Sequence, residues 1–128
     1  MVFVDSKLSM WQVYYEGGMK LPNGKNAIVS EKKVRDYLLS QTHPVGKLKA
    51  KFFYSMGFTQ TNVKFLEELL REIALNGDVV NVISSEYGNK YLIEGTIKSL
   101  KGKSVRIQTV WIIETRKKYP RFVTAYPV

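Results

Sequence analysis

Length, composition and charge exclude several classes of protein. The 128 residues suit a single domain, 1–128, that buries its own core without covalent cross-links. The chain has no cysteine and one histidine, which excludes disulfides, thiol catalysis and metal sites built from several histidines. No apolar run reaches the roughly 20 residues of a membrane span and the N-terminus lacks a secretory pattern, so we expect a soluble, cytoplasmic domain with no membrane, metal or cofactor.

The chain is strongly basic, with 20 Lys and Arg against 11 Asp and Glu and a formal net charge of +9. An excess of this size favours a polyanionic partner, such as RNA, DNA or an acidic protein, over the simpler alternative of general solubility. The excess is also uneven along the chain. One stretch with a single acid, Glu114, contains Lys98, Lys101, Lys103, Arg106, Arg116, Lys117, Lys118 and Arg121.

The first residues of the chain carry only a weak secondary-structure signal. Residues 1–20 form an N-terminal extension in which Trp11–Tyr15 has the composition of a short strand. The dipeptide Asn23-Gly24 predicts a turn. The following residues, Ala27 to Val29, indicate a short extended segment before the first helix.

Three segments follow in which apolar residues repeat with the helical period of 3.6, and each predicts a helix. Ser30 is expected to cap the first helix, which ends at about Ser40. The second helix covers about residues 45–56, and the third begins at Thr59 or Thr61 and ends at about residue 75. The faces predicted to point inward contain Val34, Tyr37, Leu38, Leu48, Phe52, Phe53, Met56, Phe65, Leu66, Leu69, Leu70 and Ile73, whereas Glu67, Glu68 and Glu72 are predicted to be solvated.

After Gly77 the apolar period changes from 3.6 to 2. Segments 79–84, 90–97, 104–113 and 122–127 are rich in Val, Ile, Thr and Tyr and predict four strands. Because their connections are short and polar, neighbouring strands are expected to pair antiparallel. We therefore predict an α+β fold, with about three N-terminal helices packed on a four-stranded antiparallel meander sheet.

One stretch before the second helix concentrates chemistry around the only histidine, His43. Pro44 suits the first turn of a helix, which places His43 at the cap, beside backbone N–H groups that favour an anion. Lys47 and Lys51 share one face at i, i+4, whereas Lys49 falls inside the predicted apolar arc. Lys49 is therefore expected either to have a functional role or to lie at the edge of that arc with its ammonium group reaching solvent.

One histidine, many cations and strand hydroxyls suit RNA cleavage without a metal. A histidine transfers protons near neutral pH, and lysine or arginine stabilises the charge that develops on the phosphate. The sequence contains neither a phosphate-binding glycine loop nor a nucleophile elbow, the motifs that would indicate nucleotide binding or serine hydrolase chemistry. The predicted catalytic residues are His43, Lys49, Arg121 and Thr124, and the predicted binding residues are Lys47, Lys51, Tyr87, Thr109, Lys117 and Lys118.

Each of these residues also has a simpler structural interpretation. His43 could only cap a helix, and Lys47 and Lys51 could only form a solvated face. Trp111 could offer a stacking platform for a base, but a large aromatic in an apolar strand is more typical of a core. Tyr87-Gly88 is most simply a turn between strands.

The ordered motifs of the chain resemble an uncharacterised bacterial domain family. That family is found at the C-termini of polymorphic and contact-dependent toxins, in phage head-associated proteins and as small standalone proteins. The resemblance covers about residues 21–126. It is carried by Leu21-Pro22-Asn23 with Asn26-Ala27, His43-Pro44-x-Gly46-Lys47-x-Lys49-Ala50-x-x-Phe53, Gly57-Phe58-Thr59, Tyr87-Gly88-x-x-Tyr91, Thr109-x-Trp111-Ile112 and Pro120-Arg121-x-x-Thr124-x-Tyr126.

The resemblance implies a toxin domain similar to the barnase/colicin/RelE-like ribonucleases, with RNA as substrate and a cognate inhibitor or antitoxin protein as partner. The chain departs from the family pattern at Leu48, where a second histidine is common between the two lysines. Two hypotheses follow. The first is a metal-independent ribonuclease-type toxin domain, and the second is a non-catalytic basic module that binds nucleic acid or an acidic partner protein.

Overall fold

The architecture is one antiparallel sheet with three helices packed against it. The computed structural model describes residues 2–5, 11–15 and 18–128, with side chains from residue 18 onward. Six strands lie in the order of the chain, each antiparallel to the next. They are β1 (Val2–Asp5), β2 (Trp11–Tyr15), β3 (Asp78–Ser85), β4 (Gly88–Lys98), β5 (Ser104–Glu114) and β6 (Arg121–Pro127).

The predicted four-stranded meander is confirmed as β3 to β6, and so is the α+β class. The weak strand pattern at Trp11–Tyr15 is β2, which pairs with β3 through the register Trp11↔Ser84. The N-terminal extension therefore adds two strands to the same sheet. Its pattern is weak in the sequence because β1 and β2 are only four and five residues long, too short to display a clear alternation.

The three predicted helices are also present. Helix α1 (Glu31–Lys33) continues as a π-helical segment, Val34–Leu38, and is capped by Ser30, whose Oγ accepts from the Lys33 N–H at 3.3 Å. Helix α2 is Lys47–Ser55. Helix α3 is Val63–Asn76, preceded by a 3₁₀ turn in which Thr59 forms a capping box.

The core lies between the helices and the inner face of the sheet, and Trp111 belongs to it. Trp111 is fully buried, and its Nε1–H donates to Thr109 Oγ1 at 2.8 Å, so the core interpretation of this residue is confirmed. The largest fully buried side chains are Trp111, Phe53, Phe58, Phe122, Leu38, Leu39, Leu66, Leu70, Ile93, Ile97, Ile107 and Val34.

The predicted helix faces are wrong at three positions. Leu48 is 74% exposed, because the buried stripe of α2 runs through Ala50, Phe53 and Met56 and position 48 lies about 140° from Phe53 around the helix. Phe65 is exposed as well. Glu67 is buried instead of solvated, because it stands at i+4 from Val63 and i−3 from Leu70 within the buried stripe of α3.

Candidate functional site

A cleft of about 500 Å³ opens between α1 and the start of β6. A parallel bridge between Ile28 and Arg121 holds its two walls together: the Ile28 N–H donates to Pro120 O at 2.8 Å, and the Phe122 N–H donates to Ile28 O at 2.9 Å. The predicted extended segment at 27–29 therefore joins the edge of the sheet. This α1–β6 cleft is lined by Ser30, Lys32, Lys33, Asp36, Tyr37, His43, Arg121 and Phe122.

Tyr37 connects the groups around the cleft. Its hydroxyl is 3.0 Å from Thr124 Oγ1, and its ring meets the edge of the His43 ring at a centroid distance of 5.0 Å. The ammonium groups of Lys33 and Lys49 lie 4.4 and 5.8 Å from the centroid of the same ring, within cation–π range. Three of the four predicted catalytic residues thus surround Tyr37.

Arg121, the fourth, lines the same cleft and is held by a carboxylate. Its Nε donates to Glu114 Oε1 at 3.0 Å, and its Nη2 lies 2.9 Å from the same oxygen. This hydrogen bond, together with the charge of Lys117 at 3.7 Å, lowers the pKa of Glu114 below its ordinary value. The ion pair leaves the Arg121 side chain 48% exposed, so the guanidinium keeps donors for a ligand in the cleft.

His43 caps the start of α2 through its ring. Nδ1 accepts from the backbone N–H groups of Val45 and Gly46, both at 3.0 Å, and α2 therefore begins at Lys47 instead of the predicted residue 45. With the Nδ1 lone pair engaged as an acceptor, the ring hydrogen is assigned to Nε2. Among the described residues Nε2 has no hydrogen-bond partner, so His43 offers a donor to the cleft.

This arrangement changes the role predicted for His43. A group that takes a proton in catalysis needs a free lone pair, and the Nδ1 lone pair already faces two N–H groups. The capping interpretation and the functional interpretation are thus compatible, because one nitrogen caps the helix and the other remains available. The chemistry that fits the geometry is hydrogen-bond donation to an anion.

The other predicted binding residues divide into three groups. Lys47 and Lys51 are exposed on α2 and lie outside the cleft lining. Thr109 is fully buried, and its hydroxyl donates to Ile93 O at 2.9 Å while accepting from Trp111. Thr109 therefore presents no surface to a ligand, because both of its hydrogen-bonding functions serve the sheet. Tyr87, Lys117 and Lys118 are exposed at the turns beside Arg121.

The basic stretch 98–121 does not form one surface. Strand β5 occupies Ser104–Glu114, and at about 3.3 Å per residue it separates the β4–β5 turn from the β5–β6 turn by roughly 33 Å. Arg116 to Arg121 lie at the cleft end of β5, and Lys98 to Lys103 lie at the opposite end. Leu48 also lies outside the cleft lining.

Of the residues that line the cleft, only His43 and Arg121 were predicted as site residues; the residues that α1 and the π-helical segment after it contribute were missed. Tyr37 was predicted only as an inward-facing residue, although its hydroxyl reaches β6. Lys33 stacks on Tyr37 from the i−4 position, a spacing that is visible in the sequence but common on helices. Among the described residues that line the cleft, Asp36 is the only carboxylate, and Arg35 Nε donates to it at 3.1 Å. Nothing in the local sequence distinguishes Asp36 from the other exposed acids.

In the part of the chain that the structure describes, no three His, Asp or Glu side chains are grouped closely enough to hold a metal ion. Within the same residues, none of the helices combines the length and the apolar content that crossing a bilayer requires.

Comparison with known proteins gives a family and a fold. The family described as "Domain of unknown function (DUF6883)" matches residues 20–128. No curated protein matches the chain in sequence. Among solved structures, one chain of a contact-dependent growth inhibition toxin–immunity protein complex from Klebsiella pneumoniae 342 is similar, with a TM-score of 0.64 and 20% identity. The match covers 82% of this chain and 96% of that one, so the two share a fold.

Proposed function

The chain belongs to the DUF6883 family, and from this membership and the geometry above we propose that it is a metal-independent ribonuclease-type toxin domain. The α1–β6 cleft holds a phosphodiester of an RNA strand, and a cognate inhibitor protein blocks the same cleft. The observation that carries the proposal is that His43 and Arg121, far apart in sequence, line one cleft together with Lys32 and Lys33.

The cleft supplies the charge that phosphoryl chemistry requires. When the 2′-oxygen attacks phosphorus, negative charge builds on the non-bridging oxygens of a pentavalent intermediate. The guanidinium of Arg121 and the ammonium of Lys33 stabilise that charge, and pre-oriented donors of this kind act without reorganising during the reaction. The ion pair with Glu114 fixes Arg121, and the Tyr37 ring supports Lys33 at 4.4 Å. Lys49, on the same ring, adds to the positive field.

His43 contributes a neutral donor. Its Nε2–H donates to a non-bridging oxygen, while Val45 and Gly46 hold the ring through Nδ1. A neutral imidazole at a helix N-terminus can act in this way as an electrophile, because the backbone N–H groups fix both its orientation and its tautomer. Thr124 acts indirectly as a positioning residue, because its hydroxyl holds that of Tyr37.

The proton balance assigns a role to Asp36. The bond from the 2′-oxygen to phosphorus forms, the bond from phosphorus to the 5′-oxygen breaks, and the product is a 2′,3′-cyclic phosphate. The proton of the 2′-hydroxyl passes to Asp36, the cleft-lining carboxylate, which has free lone pairs beside its bond to Arg35. The departing 5′-oxygen takes a proton from water, which reaches the cleft because Asp36 is about half exposed.

The toxin part of the proposal draws on fold and charge together. The similar Klebsiella chain comes from a toxin–immunity complex, and either component of such a pair could share the fold. A net charge of +9 favours the component that binds RNA, because a protein that blocks a basic cleft needs the opposite charge. The domain would then act in the cytoplasm, where its RNA is found, and its inhibitor is expected to be acidic.

The test is cleavage of RNA by the purified protein in the presence of EDTA. We expect a 2′,3′-cyclic phosphate product, detected by mass spectrometry. His43→Asn keeps an oxygen acceptor for the cap but lacks the Nε2–H, so it should fold normally and lose about 100-fold or more in rate. Arg121→Gln should lose a similar factor. Arg106→Gln is the matched control, because Arg106 pairs with Glu94 at 2.9 Å as Arg121 pairs with Glu114.

Absence of cleavage by the folded protein on total cellular RNA would refute the proposal, and so would equal rates for the Arg121 and Arg106 variants. The engagement of His43 Nδ1 favours one alternative, a non-catalytic module that binds phosphate groups in the same cleft. That module would bind RNA with an affinity that falls steeply with salt and would lose affinity in Arg121→Gln, but it would release no product.

A further inference from the structure

Two turns of the sheet lie side by side next to the α1–β6 cleft. The β3–β4 turn contains Tyr87, and the β5–β6 turn contains residues 115–120. The Thr115 N–H donates to Tyr87 O at 3.0 Å, and the Thr115 hydroxyl donates to Glu86 O at 2.9 Å. On the far side, Asn23 Nδ2 donates to Lys118 O at 2.9 Å. The two turns are therefore fixed to each other and to the 23–26 turn.

These turns display aromatic rings to solvent. Tyr87 is 73% exposed and Tyr119 is 49% exposed. Of the tyrosines from residue 18 onward, these two alone are exposed, while the others are buried or half-buried. An exposed ring on a hydrogen-bonded turn loses little freedom when a planar ligand stacks on it, so both rings are suited to binding bases.

Three cations precede Tyr119 on the β5–β6 turn. Arg116, Lys117 and Lys118 are all exposed on the β5–β6 turn. Of the two nearby acids, Glu114 is paired with Arg121 and Lys117, and Glu86 is the other. We call Tyr87, Arg116, Lys117, Lys118 and Tyr119 the turn patch. Aromatic rings interleaved with cations form the combination that single-stranded nucleic acid recognises.

The turn patch is continuous with the cleft. Arg121 lines the cleft and binds Glu114, and Glu114 also binds Lys117 of the turn patch. A strand whose phosphate contacts Arg121 would therefore meet the turn patch with its next nucleotides.

We infer that the turn patch is a subsite for single-stranded RNA, binding nucleotides that flank the phosphate held in the cleft. Tyr87 and Tyr119 stack on bases, and Arg116, Lys117 and Lys118 contact phosphates. The inference rests on the proposed function for the identity of the ligand. It adds a requirement that the cleft alone does not make: the target is unpaired on the side facing the turns, because bases within a duplex are not free to stack on protein rings.

The test measures binding without cleavage. The probe is a fluorescein-labelled 2′-O-methyl oligouridine of about 12 nucleotides, whose blocked 2′-oxygen prevents cleavage. Binding is followed by fluorescence anisotropy over a range of salt concentrations. Tyr87→Ala and Tyr119→Ala should each weaken binding about tenfold. Lys117→Ala/Lys118→Ala should weaken binding and make the negative slope of log affinity against log salt less steep by about 1.4, since each phosphate contact contributes about 0.7 to its magnitude.

The matched control is Lys101→Ala/Lys103→Ala, which removes two exposed lysines from the turn at the other end of β5. It lowers the net charge equally and should leave the slope close to that of the unmodified protein. Equal slopes for the two double variants, with unchanged binding by both tyrosine variants, would overturn the inference. The same result with lost affinity for an acidic inhibitor protein would also overturn it, because the turn patch would then be a protein interface.

The proposed function and the RNA subsite can be refuted independently of each other. If the protein binds the probe through the turn patch but cleaves no RNA in EDTA, the proposed function falls and the RNA subsite stands. If the protein cleaves RNA while the turn-patch variants bind the probe normally, the subsite falls and the proposed function stands.

Discussion

Replacing Gly46 with alanine tests how the cleft is held together. Gly46 lies where the turn before α2 passes over α1, and its N–H donates to His43 Nδ1. A Cβ at this position would overlap the carbonyl oxygen of Tyr37 and lie 2.9 Å from its carbonyl carbon. These are backbone atoms, so the obstacle cannot rotate away. Alanine must therefore push the His43 turn away from α1 and disturb two cleft residues, His43 and Tyr37, together.

The sign of the change in Tm distinguishes the steric clash with Tyr37 from the conformational preference of alanine, because the two act in opposite directions. Gly46 has φ −74° and ψ −23°, a conformation that alanine adopts readily, so preference alone predicts stabilisation by up to about 1 kcal/mol. Overpacking of a close-packed interior costs about 1–3 kcal/mol, and a backbone obstacle places this case near 3. With an unfolding entropy of about 2.1 cal/mol/K per residue, 128 residues give about 0.27 kcal/mol/K. Less the gain from backbone preference, the net cost is about 2–3 kcal/mol, and the expected decrease in Tm is about 7–11 °C.

Thermal unfolding followed by circular dichroism measures this change, and RNA cleavage by the folded variant measures its effect on the cleft. Gly102→Ala is the control, because Gly102 has φ +88° and open space around a Cβ. Its cost comes from conformation alone and should be about 1–2 kcal/mol. A Gly46→Ala protein with an unchanged or higher Tm would show that the turn does not press against Tyr37 as described.

Two other predictions concern single side chains. Because Arg121 and Lys117 lower the pKa of Glu114 in the folded state, their interaction stabilises the fold above the ordinary glutamate pKa of about 4.3 and is lost as pH falls through the folded-state value. The Tm difference between the unmodified protein and Glu114→Gln should therefore be present at pH 7 and disappear on strong acidification. It should also shrink in high salt. A Tm difference that persists in strong acid would contradict the ion pair. Thr109→Val should cost about 1–3 kcal/mol in urea unfolding, because Trp111 Nε1 and Ile93 O would both lose their buried partner, and a smaller loss would indicate that another group replaces the hydroxyl.

The elements of the fold were predictable because local chemistry and tertiary packing agree. Gly57, at φ +93°, ends the α2 segment where the sequence predicted a stop, since a left-handed residue cannot continue a helix. Ser30 caps α1, and Thr59, one of two predicted caps, precedes α3. The errors arose where a periodic pattern had to be centred on the core. Leu48 and Glu67 show this, because spacing fixes which residues share a face and only packing decides which face is buried.

Two of the residues that line the cleft, His43 and Arg121, were chosen from the sequence, whereas the way the cleft is assembled was not predictable. His43 and Arg121 could be chosen because a lone histidine and a strand-end arginine suit phosphate chemistry. The role of Tyr37 depends on Thr124, 87 residues later, and on an approach between the His43 turn and α1 that Gly46 permits. The orientation of the His43 ring was also unpredictable, because the sequence predicted nearby backbone N–H groups but not that Nδ1 would accept hydrogen bonds from two of them.

On the proposed function, the distribution of charge has a consequence for how RNA would reach the cleft. In sequence, residues 98–121 form one basic run, but β5 places the two ends of the run roughly 33 Å apart. At physiological ionic strength the Debye length is about 8 Å, so Lys101 and Lys103 cannot stabilise a phosphate held by Arg121. Their field acts on the approach of a polyanion and therefore on the association rate. On the same proposal, the contact energy would come from the end of β5 that carries Arg121, near the cleft and the two turns.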